Sequence, residues 1–404
     1  MRPLSRTADC LLVALTLGAA SCGSDAEPAA DVISVGVLLS YTGHLTADSI
    51  NSERALLMAI EAANQAGGVG GRPLRMVARD TGSDPGKVGE RARELVDAGV
   101  AVVIGPDAED LAIAARGTLD DRTIILPSFA TSQDVLFKAR SWFVIGAPIA
   151  RMACELQAQL RADGRQKPLI IFNPSGYSAG IAWTLTNTYG YGRYVLSTNK
   201  APTTADVKPI LSTSADAFVL AATPSSAGPL IYALLANGAL TDPTRWYLSP
   251  TLHSPVFLDL IPHGGMAGAH GVSQGSAAEA ASFRDSFAAR WHDRALDDAY
   301  PFYDAGALAV LGLQRALAHD GAIPTGTGLS PHLMAVTRAG GTPIHWNELG
   351  QGLERLRAGQ EITYLGLSGE LAFDALGQTP GATTTWWTIG PDGFVERQGQ
   401  SNCQ

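Results

Sequence analysis

Residues 79–106 read RDTGSDPGKVGERARELVDAGVAVVIGP, and the stretch carries a near-complete strand-helix-strand unit. A loosely alternating strand, Leu74 to Arg79, runs into it. Asp84-Pro85 is a helix start, with an N-cap acid and then proline in the first turn, where no amide hydrogen is needed. Val88, Ala92, Leu95 and Val96 fall on one stripe of that helix and Gly99 ends it. Val100 to Ile104 is wholly apolar and short, as a strand buried on both faces should be. Gly105-Pro106 then opens another helix, with Asp107 as its expected N-cap. A strand joined through a one-sided helix to a second strand predicts a parallel pair with a right-handed crossover.

The same alternation extends in both directions. Ile33 to Leu39 predicts a first strand, and Ser52 to Ala66 a helix with Leu56, Ile60 and Ala63 on one stripe. The string AGGVGG (66–71) follows a helix and precedes a strand, the reverse of a dinucleotide-binding turn, so helix termination explains its glycines better. Ile124 to Leu126 predicts another strand, followed by a polar loop at 128–132. A second unit starts near Pro148: helix 150–162, strand 168–172, helix 178–187, strand 194–197, strand 217–222, helix 227–236 and strand 245–249. Helices with Phe283, Phe287 and Trp291, then Asp304 to Ala318, follow, and short strands are predicted near 370–373, 384–388 and 394–397. The expected class is α/β, with two Rossmann-like lobes built on parallel sheets rather than one sheet or a closed barrel.

The chain has 404 residues and a net charge of -9, with no long basic run, which gives no support to nucleic-acid binding. Its eight histidines and four cysteines show no metal-ligand spacing, and no cofactor motif stands in the right context. Residues 1–22 read as a signal peptide: Arg2 and Arg6, an apolar run from Leu11 to Ala20, then Ala19-Ala20-Ser21-Cys22. That ending is similar to a bacterial lipobox, with Cys22 the lipidation site, although Ala19 stands where leucine is usual. Residues 23–31 form a polar tether. Export with a lipid anchor at the cell envelope is the expectation. Cys154 and Cys403 then remain; an oxidising compartment allows one disulfide between them, but a helix residue and a tail residue are expected to be unrelated thiols.

Gly176-Tyr177-Ser178-Ala179-Gly180 is a G-x-S-x-G string after the apolar run Leu169 to Phe172. A secreted serine hydrolase using Ser178 is therefore one reading. A nucleophile elbow needs the serine on a sharp turn directly after the strand. Here residues 173–176 intervene first, which argues against it.

Several motifs together resemble the leucine/isoleucine/valine-binding protein family, the type I substrate-binding proteins of ABC transporters. They are Val35-Gly36-Val37-Leu38-Leu39-Ser40 with Thr42-Gly43, EAANQAGGVGGRPL (61–74), the opening stretch 79–106 and Ala130-Thr131-Ser132. Tyr303-Asp304-Ala305 and the Gly366 to Gly377 segment complete the set. The resemblance implies a periplasmic-binding-protein type I fold with a three-strand hinge and a ligand cleft between lobes. It divides the chain into lobe 1, 31–148 plus 275–381, and lobe 2, 149–274 plus 382–404. It also implies a solute-binding rather than catalytic role, with an ABC permease or a membrane sensor as partner.

By that resemblance Phe129, Ala130 and Thr131 belong to the ligand loop, Tyr177 is the second-lobe aromatic and Tyr303 a hinge-side aromatic. The sequence departs from the pattern where Glu109 takes the usual serine position and Thr251 the usual acidic one. Glu109 is also explained as helix-dipole compensation. Without the acid an α-ammonium lacks its usual partner, and with Glu109 a carboxylate is repelled. The expected solute is neutral or cationic rather than a branched-chain amino acid.

Overall fold

The structure is a computed structural model that describes residues 31–127, 141–174, 176–196, 204–398 and 403. Two sheets organise it. The first has the order β2-β1-β3-β4-β5 and is parallel throughout: β1 Ile33–Leu39, β2 Leu74–Asp80, β3 Val103–Ile104, β4 Ile124–Leu126 and β5 Trp142–Val144. Successive strand residues face opposite sides. Val35, Val37 and Leu39 enter one core with helices α1 (Thr46–Gln65), α9 (Ala280–Trp291) and α10 (Ala299–Asp320). Leu38 enters the other with α2 (Pro85–Asp97) and α3 (Glu109–Leu119).

The second sheet has the order β14-β13-β10-β9-β8-β6-β7. Its strands β6 (Pro168–Phe172), β7 (Gly192–Val195), β8 (Ala217–Ala221), β9 (Trp246–Leu248) and β10 (His270–Gln274) are parallel. Strands β13 (Thr384–Ile389) and β14 (Phe394–Gln398) add antiparallel at the edge of this otherwise parallel sheet. Helices α4 (Ile149–Ala162) and α5 (Gly176–Tyr189) cover one face; α6 (Thr204–Leu211), α7 (Pro224–Ala236) and α8 (Pro255–Asp259) cover the other. A small parallel pair, β11 (Thr342–Ile344) and β12 (Ile362–Tyr364), with helices α11 (Ser330–Val336) and α12 (Leu349–Arg357), completes the first lobe.

Three segments, near residues 145–148, 275–279 and 378–383, pass between the lobes and bond to one another or to strand ends beside them. The buried Thr379 hydroxyl donates to Gly146 O (3.0 Å) and accepts from Gly146 N (3.1 Å). Ala147 N donates to Gln274 Oε1 at 2.6 Å, and Gly275 N to Thr383 O at 2.8 Å. These crossings form the three-strand hinge.

Some sequence expectations are corrected. The predicted strand at 370–373 is irregular chain. The buried Asp304 carboxylate instead organises the segment before it, accepting from Tyr364 Oη (2.8 Å), Leu367 N (2.9 Å) and Ser368 N (2.8 Å). Helix α1 starts at Thr46, six residues before the expected start at Ser52, because its first turns border a cleft and need no apolar face. Cys154 and Cys403 are not unrelated thiols: they form a disulfide with Cα atoms 5.9 Å apart across 249 residues. Residues 1–30, which include Cys22, lie outside the described residues.

Candidate functional site

The carboxyl ends of both sets of parallel strands face a common cavity of about 900 Å³, the usual place for a ligand in open α/β sheets. After β1 the chain gives His44, Leu45 and Asp48; after β3, Asp107 to Leu111. From the other lobe come Gly176 to Ser178 after β6, Thr223 after β8, and Pro250, Thr251 and His253 to Val256 after β9. The loop from Arg294 to Asp298 and the turn between β13 and β14 close the ends.

Local chemistry fixes these loops. Gly105, at φ +96°, leads out of β3 so close to β1 that a Cβ there would lie 2.2 Å from Leu38 O. That turn delivers Asp107 to the wrong place for its predicted capping role. Ala108 is the N-cap of α3, and the Asp107 carboxylate instead accepts from Ser40 N (2.9 Å), Ser40 Oγ (3.0 Å) and Ser49 Oγ (2.5 Å). It therefore ties the β1 loop to the start of α1.

Glu109 is buried and lines the cavity. Its carboxylate reaches across to the second lobe, 3.4 Å from where Gly176 would carry a Cβ. A carboxylate at the first residue of α5 favours the positive end of that helix. Tyr177 follows, buried on the opposite wall, and its hydroxyl makes no hydrogen bond among the described residues. Burial, reinforced by the Glu109 charge, pushes its ionisation up. Thr251 lines the cavity too, with its hydroxyl donating to Ala222 O and bonded to Ser249 Oγ, both at 2.8 Å.

Tyr303 is not brought to the cavity. It is 2% exposed in the first core, its hydroxyl donates to Trp346 O (2.7 Å), and its ring packs on Phe283 and Trp346. Its helix neighbours Asp298 and Tyr300 reach the cavity instead, because they stand at the open end of α10. Phe129, Ala130 and Thr131 lie outside the described residues. Ser178 is buried in the first turn of α5, and no hydrogen bond joins it to a histidine or carboxylate among the described residues.

Sequence reasoning missed the acidic and histidine lining. His253 of the second lobe pairs through Nδ1 with Asp297 Oδ2 of the first at 2.5 Å, and its ring stacks on Trp387. Asp48 and Asp298 stand nearby in charge: burial, then Asp107, raises Asp48, and burial followed by Asp48, Asp297 and Asp107 holds Asp298 well above the usual carboxylate range. Burial also raises Asp107, against the bonds from Ser49 and Ser40. Only the Asp297-Asp298 pair ahead of an apolar helix was a visible signal, and it reads equally as a helix start.

Two parallel sheets that turn their strand ends toward one cavity, linked by three crossing segments, define a two-lobed ligand-capture fold. The chain belongs to the periplasmic binding protein family, whose sequence profile matches residues 32–356. It is 26% identical over 366 residues to the chemotactic signal transduction system substrate-binding protein BasB of Halobacterium salinarum, covering 85% of this chain and 84% of that protein. Its fold is similar to the branched-chain amino acid transporter substrate binding protein LivJ from Streptococcus pneumoniae in complex with isoleucine, at 18% identity and a TM-score of 0.72, over 91% of this chain and 100% of that one. It is also similar to the solute binding protein of an ABC transporter from R. palustris in complex with benzoate, at 18% identity and a TM-score of 0.71, over 91% and 96% of the two chains.

Proposed function

We propose that this protein is a lipid-anchored extracytoplasmic solute-binding protein that captures a small polar ligand between its lobes for an ABC permease. The observation that carries the reading is the cavity itself, lined from both lobes at their strand ends. A ligand that touches both walls binds the closed arrangement better than an open one, so its binding energy shifts the balance toward closure. Tyr177, Thr251 and Glu109 are the proposed contacts among the described residues, with Phe129, Ala130 and Thr131 as further contacts carried by the family resemblance. The absence of an acid at Thr251 and the presence of Glu109 favour a neutral or cationic solute over a branched-chain amino acid. Cys22 supplies the anchor. The BasB relative, named for chemotactic signalling, supports a second reading in which a membrane sensor replaces the permease.

The buried setting of Ser178 in a helix, with no hydrogen bond to a histidine among the described residues, favours binding over hydrolysis. Native mass spectrometry of protein purified from its own host tests the central reading, with small-angle scattering of the same sample before and after unfolding and refolding to strip ligand. A co-purified small molecule, lost on stripping with a larger radius of gyration, is expected. No bound solute, together with fluorophosphonate labelling that vanishes in Ser178→Ala, would transfer the protein to the hydrolases.

A further inference from the structure

A side-chain bond joins the two lobes at the edge of the cavity. His253 follows β9 in the second lobe, and Asp297 precedes α10 in the first. A carboxylate only accepts, so the Nδ1–H of His253 donates to Asp297 Oδ2, at 2.5 Å. Both residues line the cavity. They also border a small polar gap shared with Gln274 at the end of β10 and Ser276 in a hinge crossing.

Each partner is fixed by its own lobe. The His253 side chain is 6% exposed; its ring stacks on Trp387 with centroids 4.9 Å apart and meets Phe394 at 4.4 Å. Trp387 is itself fully buried. Gly271, its partner on β10, leaves room for the indole, since a Cβ there would lie 2.1 Å from the ring. The backbone is set as well: His253 N donates to Pro250 O at 3.0 Å, and Ser254 Oγ accepts from Val256 N at 3.2 Å. In the first lobe, the buried Asn51 of α1 holds the loop that carries Asp297. Its Nδ2 donates to Arg294 O at 2.8 Å, and its Oδ1 accepts from Leu296 N at 2.9 Å. Two groups already held in place lose little side-chain entropy when they bond.

The surroundings fit a contact between lobes. Glu396 Oε1, from β14 of the second lobe, stands 3.8 Å from His253 Nε2, so each ring nitrogen has an acidic neighbour, one from each lobe. Arg284 and Tyr300 of the first lobe border the same gap as Glu396, and Arg284 bonds Tyr300 Oη at 3.4 Å. Asp297 Oδ2 is therefore engaged by the other lobe, with no solute needed to hold it.

We propose that His253 and Asp297 form an interlobe clasp: they are positioning residues whose bond holds the two cavity walls at their capturing separation. This deepens the solute-binding reading and rests on its two lobes moving about the hinge. The bond exists only where the lobes stand together, so it favours the closed arrangement in the empty protein as much as in the loaded one. Apparent affinity scales with the fraction of protein in the binding-competent state. Loss of the clasp therefore lowers the closed fraction before any solute arrives.

Double electron–electron resonance on the full chain, stripped of solute, reads the separation of the lobes. Spin labels go on Glu90→Cys in α2 and Asn187→Cys in α5, both exposed and outside the cavity. Cys154 and Cys403 are joined and take no label, and protein without the added cysteines is the blank. The labelled wild type is compared with His253→Phe, which keeps a ring against Trp387 and removes the donor, with Asp297→Ala, and with the double variant. Each single change is expected to lower the closed-to-open ratio about three- to tenfold, the scale of one hydrogen bond net of solvent. The double variant is expected to go no further than either single one, because one bond is lost in all three. Thermal melting checks that each is folded, and Asp297→Asn replaces Asp297→Ala should the latter not fold. Distances unchanged from wild type in both single variants overturn the clasp, as does a double variant whose shift is the sum of the two. The distances are read without solute, so they decide the clasp on their own, and the co-purified solute decides the solute-binding reading separately.

Discussion

The disulfide between Cys154 and Cys403 should be a major source of stability with no part in ligand capture. It joins α4 to the chain end across 249 residues. Removing it in Cys154→Ala/Cys403→Ala frees the unfolded chain from a very long loop. The loop-closure relation with n near 250 gives about 18–19 cal/mol/K, or about 5.5 kcal/mol at room temperature. For a unit of roughly 370 residues the unfolding entropy near the midpoint is about 0.8 kcal/mol/K, so the melting temperature should fall by about 6–7 °C. Both cysteines lie in or against the second lobe and neither lines the cavity, so ligand affinity should be unchanged. Differential scanning calorimetry of wild type, wild type with reductant and the double variant measures the effect. A double variant melting within 1 °C of oxidised wild type, or a non-reduced digest with no linked Cys154 and Cys403 peptides, would refute the reasoning.

Asp304→Ala should cost about 3 kcal/mol or more, because it strands the Tyr364 hydroxyl and two buried amides; urea denaturation should show this, with Asp304→Asn costing less. The empty protein should lose stability as pH rises from about 4 toward neutrality. Asp48, Asp107 and Asp298 have raised folded-state values, so their contribution is complete below the unfolded value and lost through the folded one. Asp80, Asp216, Asp242 and Glu361 are lowered and act oppositely in stronger acid. Asp298→Asn should flatten the neutral limb of a melting-temperature series, and an unchanged slope would count against it. Cys22→Ala should move the protein from the membrane fraction to the soluble one with loss of an acyl-sized mass; a wild type already soluble and unacylated would end the lipoprotein reading.

Much of the fold was open to a reading of local pattern. The β1 and β4 strands, Ile33–Leu39 and Ile124–Leu126, fall where short apolar runs placed them, and α2 begins at Pro85 after Asp84, whose side chain accepts from Gly86 N. These features depend on contacts within a few residues: side-chain period, a cap, a helix-ending glycine. The β10 strand HGVSQ has no such run, and its residues gain their place from β9 and β13 on either side. The predicted strand at 370–373 failed for the converse reason, since burial there comes from packing around Asp304 and not from a ladder.

The site divides the same way. Motif order pointed to Glu109, Tyr177 and Thr251, and the structure sets all three on one cavity. It could not tell Tyr303 from Tyr300. Both lie on α10, yet only Tyr300 lines the cavity, and helix phase relative to a distant lobe makes that choice. Nor could it find Asp48 or Asp298, or pair His253 with Asp297 and Cys154 with Cys403. Each pairing joins residues 44 to 249 positions apart. The sequence by itself determined the strand-helix alternation, the crossover sense and so the two-lobed class, because those follow from nearest-neighbour geometry. Only the tertiary structure decided which charges face one another across the cleft, because electrostatic and packing energies depend on distance in space, and distance along the chain does not set it.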